Sequence, residues 1–240
     1  MRQTYKVNIA GVERDLPLYA VSETLDIAAF ILFGDVEVTV AAAKGLLEKA
    51  PLFFKNSSEW QRRVRKYCFE NVRRCENIAG YDFLGPIDTH WHTFGYDVGM
   101  MNEFYELKPG ETVRNVRMYN GATVLLNDLG RKTNFSASET VNCNILVSHF
   151  GKEDLINAQL MVRLTLNCEV IQRRSVSIDH IQNGKVSAAY TFTCELPDVT
   201  KPGALKCYVT LDGDGIFAEN EWEIYVFPEK KEIIADKNIV

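Results

Sequence analysis

The feature that most constrains the fold of this chain is a regular alternation of apolar and polar residues in its second half. It recurs in five segments, which span residues 141–147, 160–166, 186–194, 205–211 and 222–226. Because successive side chains of a β-strand point to opposite faces, each segment predicts a strand with one face in a core. Turn sequences rich in Gly, Asn and Asp separate the segments. We therefore predict an all-β, antiparallel sandwich of immunoglobulin-like type over residues 111–230, followed by a tail at 231–240.

Composition narrows the class of protein. The chain has 240 residues, of which 46% are hydrophobic and 25% charged, as in an ordinary globular protein. Its net charge of −5 argues against a general binder of nucleic acid or of membrane surfaces, which are themselves negatively charged. The longest apolar stretch, residues 27–33, is far shorter than the ~20 residues of a membrane-spanning helix. The N-terminus lacks the pattern of a signal peptide, so we expect a cytoplasmic protein.

Six cysteines are scattered along the chain and none forms a C-x-x-C pair. In a reducing compartment such cysteines are usually small buried hydrophobes, which is the interpretation we favour. A disulfide between Cys143 and Cys194, joining two strands of the sandwich, is the alternative. Their spacing supports no metal site, and the sequence has no Walker loop, dinucleotide fingerprint or G-x-S-x-G motif. We expect neither a metal nor a cofactor.

The first 50 residues carry strand and helix signals. Alternation at residues 5, 7 and 9 predicts a strand that ends at a turn at Gly11. The Ala-rich stretch 38–50 predicts a helix that Pro51 stops.

Residues 51–110 continue this α+β half. Ser57, Ser58 and Glu59 offer a cap for a helix whose apolar residues recur at three- and four-residue steps from Trp60. The other face of this helix is basic, which we interpret as a solvated face. Residues 78–84 predict a short buried strand.

Four segments carry a resemblance to a known family. Residues 77–88, which read NIAGYDFLGPID, resemble the final barrel strand of family-2 glycoside hydrolases, the β-galactosidase group. Residues 99–108 are similar to that family's passage into the last barrel helix. Residues 119–126 and 219–228 are similar to the edges of the sandwich that follows the barrel. The resemblance spans residues 52–228 and implies a glycosidase (β/α)8-barrel remnant at 51–110, the sandwich at 111–230, and hydrolysis of O-glycosyl bonds.

The beginning of the chain resembles a different family. Residues 7–18 and 33–40 look like the opening of a bacterial phosphoribosyltransferase related to adenine phosphoribosyltransferase. That family binds phosphoribosyl pyrophosphate with two acidic residues and a Gly/Thr-rich phosphate loop, and no such loop occurs in this sequence. The resemblance thus implies a phosphoribosyltransferase-like segment at 1–50, without the part that performs the chemistry.

Catalysis by a retaining glycosidase needs two carboxylates about 5 to 5.5 Å apart. In the family that residues 77–88 resemble, both glutamates come from strands upstream of this motif. Glu37, Glu48 and Glu59 precede the motif, but their surroundings do not resemble those of either glutamate. We therefore assign no catalytic residue and expect no hydrolysis by this chain alone.

The resemblance places Asp88, His90, Trp91 and His92 on the loop at the C-terminal end of the barrel strand, where barrel enzymes keep their sites. Trp91 would stack on a sugar ring, and Asp88 would bind a hydroxyl or orient a partner. The alternatives are that the four residues only pack the loop, or that the two histidines bind a metal, for which a third ligand is missing. We interpret His149 and His180, in or near the strands, as structural histidines.

Two functions remain open, with a third more remote. The first is a fragment of, or fusion with, a β-galactosidase-like glycoside hydrolase. The second is a non-catalytic β-sandwich that binds carbohydrate or another protein, and the third is a phosphoribosyltransferase. The expected partners are a carbohydrate and a second copy of the chain, and neither nucleic acid nor membrane.

Overall fold

The computed structural model of the chain describes residues 4–9, 12–17, 45–75, 77–83, 85–88, 99–102, 104–129 and 132–229. The chain divides into two structural units. The first combines Met1–Cys68 with Gly80–Val113, and the second combines Phe69–Ala79 with Arg114–Val240.

The first unit begins with a hairpin. Strand β1 (Thr4–Ile9) pairs antiparallel with β2 (Val12–Pro17), and Ile9 lies opposite Val12. The strand predicted from residues 5, 7 and 9 is confirmed. Gly11 and residues 18–44, which include most of the predicted helix 38–50, lie outside the described residues.

A long helix begins where the sequence predicted a helix to end. A 3-10 helix at Leu47–Lys49 leads into α1 (Ala50–Arg74), so Pro51 stands in the first turn of α1. The predicted stop at Pro51 is therefore wrong. Proline suits this position because the N–H that it lacks would have no partner in a first helical turn.

Two further predictions in this region are also wrong. Ser57 and Ser58 do not cap a helix but lie inside α1, where the Ser57 hydroxyl donates a hydrogen bond to the Phe54 carbonyl (3.1 Å). A hydroxyl that bonds to the preceding turn can be accommodated within a helix. The described part of the predicted strand 78–84 forms no strand, and its side chains are mostly exposed.

Besides the end of α1, the described residues of the second unit form a short helix and eight strands. Helix α2 spans Val113–Arg117, with its first residue still in the first unit. The strands are β3 (Thr123–Asn127), β4 (Asn134–Ser136), β5 (Thr140–His149), β6 (Leu155–Leu166), β7 (Glu169–Ile181), β8 (Lys185–Glu195), β9 (Gly203–Gly213) and β10 (Ile216–Phe227). They form a five-stranded sheet in the order β4-β10-β9-β6-β7 and a three-stranded sheet in the order β3-β5-β8.

The inward side chains of the two sheets form one buried cluster. In β9, alternate residues from Gly203 to Leu211 are buried, as the period-2 pattern predicts. The cluster draws on strands of both sheets, with fully or almost fully buried residues that include Leu125, Ile145, Leu160, Val209 and Ile224. Two sheets that bury their inner faces against each other are the arrangement of a β-sandwich. All five strands predicted from alternation are confirmed, and the chain is mostly β with a small helical part toward its N-terminus.

The end of α1 belongs to the second unit and is bound to β10 there. The buried Glu70 accepts hydrogen bonds from Asn220 Nδ2 (2.8 Å) and Trp222 Nε1 (3.1 Å). The ring of Phe69 packs on that of Tyr119, with the centroids 5.0 Å apart. These contacts satisfy buried polar groups and tie the helix end to the sheet within this unit.

The cysteines follow the favoured interpretation in part. Cys143, Cys194 and Cys207 are buried free thiols in the strands, whereas the other three cysteines are exposed. The alternative disulfide between Cys143 and Cys194 is wrong, because both residues are free. Burial raises the pKa of the Cys143 thiol to about 12, which keeps it protonated at neutral pH.

Candidate functional site

The candidate site lies in the first unit, where the glycosidase-like motif ends. Backbone hydrogen bonds join Asp88 N to Met101 O (2.9 Å) and Met100 N to Pro86 O (2.9 Å). Isolated bridges pair Ile87 with Met101 in parallel and Met101 with Leu107 antiparallel. Three short stretches of backbone are thus held side by side around Asp88.

The carboxylate of Asp88 is completely buried and accepts two hydrogen bonds. Its Oδ1 accepts from the backbone N–H of Gly99 (2.8 Å) and from Lys108 Nζ (2.9 Å). Lys108 is itself 7% exposed, so the two charges form a buried ion pair. Oδ2 accepts no hydrogen bond within the described part of the chain.

Gly99 is required by this arrangement. A Cβ at residue 99 would lie 2.6 Å from Asp88 N and 2.8 Å from Asp88 Oδ1. Both distances are shorter than any real contact of a Cβ, so a side chain at this position would displace the Asp88 backbone. Glycine here permits the close approach of the two chain segments.

Asp88 and Gly99 flank residues 89–98, and the hydrogen bond between them therefore joins the two ends of this ten-residue segment. His90, Trp91 and His92 belong to the segment and lie outside the described residues, so their assignment remains a prediction. Of the four predicted site residues, the structure describes Asp88 alone.

Sequence reasoning missed the partner of Asp88. Lys108 lies 20 residues further along the chain, and its backbone N–H donates to Met100 O (3.0 Å). A lysine so distant from the motif gives no local pattern.

A second missed feature is the loop that joins Asn102 to Leu107. Asn102 Oδ1 accepts hydrogen bonds from the backbone N–H groups of Phe104 (3.0 Å) and Glu106 (2.9 Å), which is the pattern of an Asx turn. Phe104 and Tyr105 stand on this turn with 74% and 72% of their surface exposed. Two neighbouring aromatic rings held open to solvent offer flat apolar faces to a ligand.

None of the three buried carboxylates among the described residues is free of a partner. Glu111 forms an ion pair with Arg65, Asp88 with Lys108, and Glu70 accepts the hydrogen bonds from β10. Groups bound in this way hold structure together. The described residues also contain no cluster of His, Cys, Asp and Glu that would hold a metal ion.

The structure also shows the environment of two of the three glutamates that precede the motif. Glu37 lies outside the described residues and Glu48 is exposed. Glu59 bonds to Arg62 and Arg63, each at 2.7 Å, and its pKa is lowered to about 2, chiefly by the hydrogen bond from Arg62.

The two histidines of the second unit differ in environment. His149 is fully buried, with Nδ1 2.8 Å from Thr123 Oγ1 and Nε2 2.8 Å from the Glu153 carbonyl. The carbonyl can only accept, so Nε2 carries a proton and donates it to Glu153. His180 lies on the surface and contacts Asp154 (2.7 Å).

Comparisons with known proteins give limited matches. Residues 139–228 match the family described as Domain of unknown function (DUF8488). No curated protein matches the sequence. None of the described helices is both long and apolar enough to span a bilayer.

Similar solved structures include three of different kinds. Sporulation control protein Spo0M from Bacillus subtilis is 20% identical with a TM-score of 0.30, over 45% of this chain and 50% of that one. A β-glucuronidase from Parabacteroides merdae is 14% identical with a TM-score of 0.29, over 37% of this chain and 12% of that one. A CARDB domain from Pyrococcus furiosus is 13% identical with a TM-score of 0.28, over 45% of this chain and 85% of that one. The chain thus spans half or less of the first two proteins.

Proposed function

We propose that this chain is the sandwich-bearing part of a glycoside hydrolase of the β-galactosidase type, and that it binds carbohydrate without hydrolysing it. The proposal joins the family resemblance of residues 52–228 to the geometry around Asp88. The proposal takes the sandwich to be immunoglobulin-like and residues 51–110 to be the end of a barrel.

One observation carries the proposal: the hydrogen bond from Gly99 N–H to the buried Asp88 carboxylate. It joins the ends of the segment that contains His90, Trp91 and His92, the residues proposed to contact sugar. A binding loop needs ends that are fixed by a rigid scaffold. Asp88 acts here as a positioning residue, because its bound oxygen faces protein groups.

The absence of hydrolysis follows from the carboxylates. Glycoside hydrolysis needs a general acid and a nucleophile that act as a unit on one bond. The buried carboxylates of the described residues each hold a structural partner instead. In our proposal the acid and the nucleophile are supplied from outside this chain.

The test combines binding and turnover. We expect no hydrolysis of an aryl β-galactoside or an aryl β-glucuronide above the buffer rate. We expect binding of galactosides, measured by calorimetry, that Trp91→Ala abolishes and Asp88→Asn weakens. Trp60→Ala is the matched control, since it removes an exposed tryptophan of α1 and should leave binding unchanged.

Two results would overturn the proposal. Turnover that is lost when one glutamate of this chain is changed to glutamine would show that the chain holds its own catalytic pair. Galactoside binding that survives Trp91→Ala, or is absent altogether, would remove residues 89–98 from the function.

A further inference from the structure

The outer face of the five-stranded sheet carries an ordered set of charged residues. The strand register places Glu221 of β10 opposite Tyr208 of β9, Tyr208 opposite Arg163 of β6, and Arg163 opposite Arg173 of β7. Directly opposed residues point to the same face of a sheet. One row across four strands therefore reads carboxylate, phenol, guanidinium, guanidinium.

The acidic end of this face is neutralised within the protein. Arg114 binds Glu219 with two hydrogen bonds, of 2.8 and 2.7 Å, and lies 3.8 Å from Glu221. Lys206 lies 3.4 Å from Glu223. Each glutamate of this column thus has a cation beside it.

The two arginines at the other end have no such counterpart. Arg163 stacks over the Tyr208 ring, 4.7 Å from its centroid, and Arg173 Nη2 lies 3.3 Å from the Met161 sulfur. Both arginines are exposed, and neither forms an ion pair with a carboxylate among the described residues. Like charges directly opposite each other destabilise a sheet, so this pair costs stability in the absence of a bound anion.

We propose that Arg163 and Arg173 bind the carboxylate or sulfate group of an acidic glycan on this face. The inference rests on the proposed function, since it names a class of carbohydrate. Two adjacent guanidinium groups present paired N–H donors that match the oxygens of such an anion. The tyrosine beneath Arg163 holds one of them in place through its ring face.

The surrounding side chains favour a glycan over a protein partner. Gln159, Ser175 and Ser177 lie beside the arginines and bond to one another, with Gln159 Nε2 2.6 Å from Ser177 Oγ and Ser175 Oγ 3.3 Å from Gln159 Oε1. Such amide and hydroxyl groups suit sugar hydroxyls. A protein partner would need an apolar centre to its interface, and this part of the face is polar.

The experiment measures binding of the full chain to defined polysaccharides at low salt. Polygalacturonate supplies carboxylates, dextran sulfate supplies sulfates, and neutral galactan and dextran are their uncharged counterparts. Variants are Arg163→Gln, Arg173→Gln and the double lysine variant, which keeps the charge but loses the paired N–H geometry. Arg174→Gln is the matched control, because it removes the same charge from the neighbouring position of β7, which points to the opposite side of the strand.

We expect tighter binding of an acidic glycan than of its neutral counterpart. Arg163→Gln or Arg173→Gln should each weaken it roughly tenfold, as for the loss of a charged hydrogen bond. The double lysine variant should bind the acidic glycan more weakly than the native chain does. Arg174→Gln should bind it as tightly as the native chain. Whether polygalacturonate or dextran sulfate binds more tightly then identifies the anion.

Other outcomes overturn the inference. If Arg174→Gln weakens binding of the acidic glycan as much as the other two variants do, the glycan is attracted by net charge alone. If polyglutamate, a polyanion without sugar, binds as tightly as the acidic glycans, a glycan is not required. If neutral galactan binds as well as the acidic glycans and the arginine variants have no effect, the inference fails while the proposed function stands. If no glycan binds, both fail.

Discussion

The sandwich of the second unit and the site around Asp88 in the first unit are held together in opposite ways. In the sandwich, apolar side chains from both sheets are buried in one shared cluster. Around Asp88, three backbone stretches meet at a buried ion pair and a single close glycine contact.

The difference lies in how stability is distributed. Burial of apolar area is non-directional and is shared by many residues, so each strand adds a part. A buried charge is stable only while its partner remains, so the geometry at Asp88 depends on very few atoms. A site held by so few atoms is suited to fixing the ends of one chain segment, and the loss of one of its contacts should destabilise only the backbone around it.

Breaking the ion pair should produce the largest effect. In Lys108→Met the buried Asp88 carboxylate keeps only the Gly99 bond, which should cost about 3 to 5 kcal/mol of local stability. Hydrogen exchange at Gly99 and Met101 should accelerate strongly, while exchange in the sandwich strands stays unchanged. The double variant Asp88→Asn/Lys108→Met removes both charges and should restore most of the protection. Native exchange rates in Lys108→Met would show that the pair does not hold this region.

A cavity in the sandwich core should cause the second largest loss of stability. This loss should spread over the whole sandwich and not stay local. Leu160 is fully buried in β6, and Leu160→Ala should lower the free energy of unfolding by about 2 to 5 kcal/mol. Because the core is shared, exchange should accelerate in all the strands together. Ile156→Ala, on the same strand but 48% exposed, should cost far less. Equal effects of the two variants in urea denaturation would contradict the assignment of faces in β6.

The sandwich was predictable from sequence to the extent that its strands bury one face. Leu160 and Val209 lie in strands whose alternation is clear in the sequence, and both are buried as that alternation predicts. Strand β7 was missed because most of its side chains are exposed, so it shows no sustained alternation of apolar and polar residues. Strand β3 was missed because all five of its residues are buried. A continuous apolar run does not distinguish a strand from a buried helix.

The site was predictable only where a motif marked it. Asp88 closes the motif that resembles a barrel strand, whereas Lys108 and Gly99 are distant from it along the chain. Their role depends on a tertiary contact that has no periodicity. The same limit explains Pro51, since a proline marks a helix boundary without showing on which side the helix lies.

A variant of Glu70, which joins α1 to β10, tests how far the stability of the second unit depends on polar contacts. Glu70→Met removes the acceptor of the Asn220 and Trp222 hydrogen bonds and should cost about 1 to 3 kcal/mol in urea denaturation. Glu70→Gln is the control, because it keeps one carbonyl oxygen in the same place and should cost less. If the methionine variant is as stable as the native chain, the end of α1 contributes only apolar packing to this unit.

The smallest expected effect concerns a surface charge on α1 and its dependence on pH. The hydrogen bond from Arg62 lowers the pKa of Glu59 from 4.5 to about 2, so the folded chain keeps this carboxylate ionised in a range where the unfolded chain protonates it. The stabilisation is therefore complete above about pH 4.5 and is lost as the pH falls toward 2. Since the Glu59 side chain is partly exposed and solvent screens its charge, pairs of this kind contribute only about 0.3 to 0.5 kcal/mol each. Glu59→Gln should lower the melting temperature slightly at pH 7 and much less at pH 2, and added salt should reduce the loss at pH 7. Glu48→Gln, at an exposed glutamate just before α1, is the control for the loss of one negative charge. A loss in Glu59→Gln that is as large at pH 2 as at pH 7 would mean that the glutamate acts through packing and not through its charge.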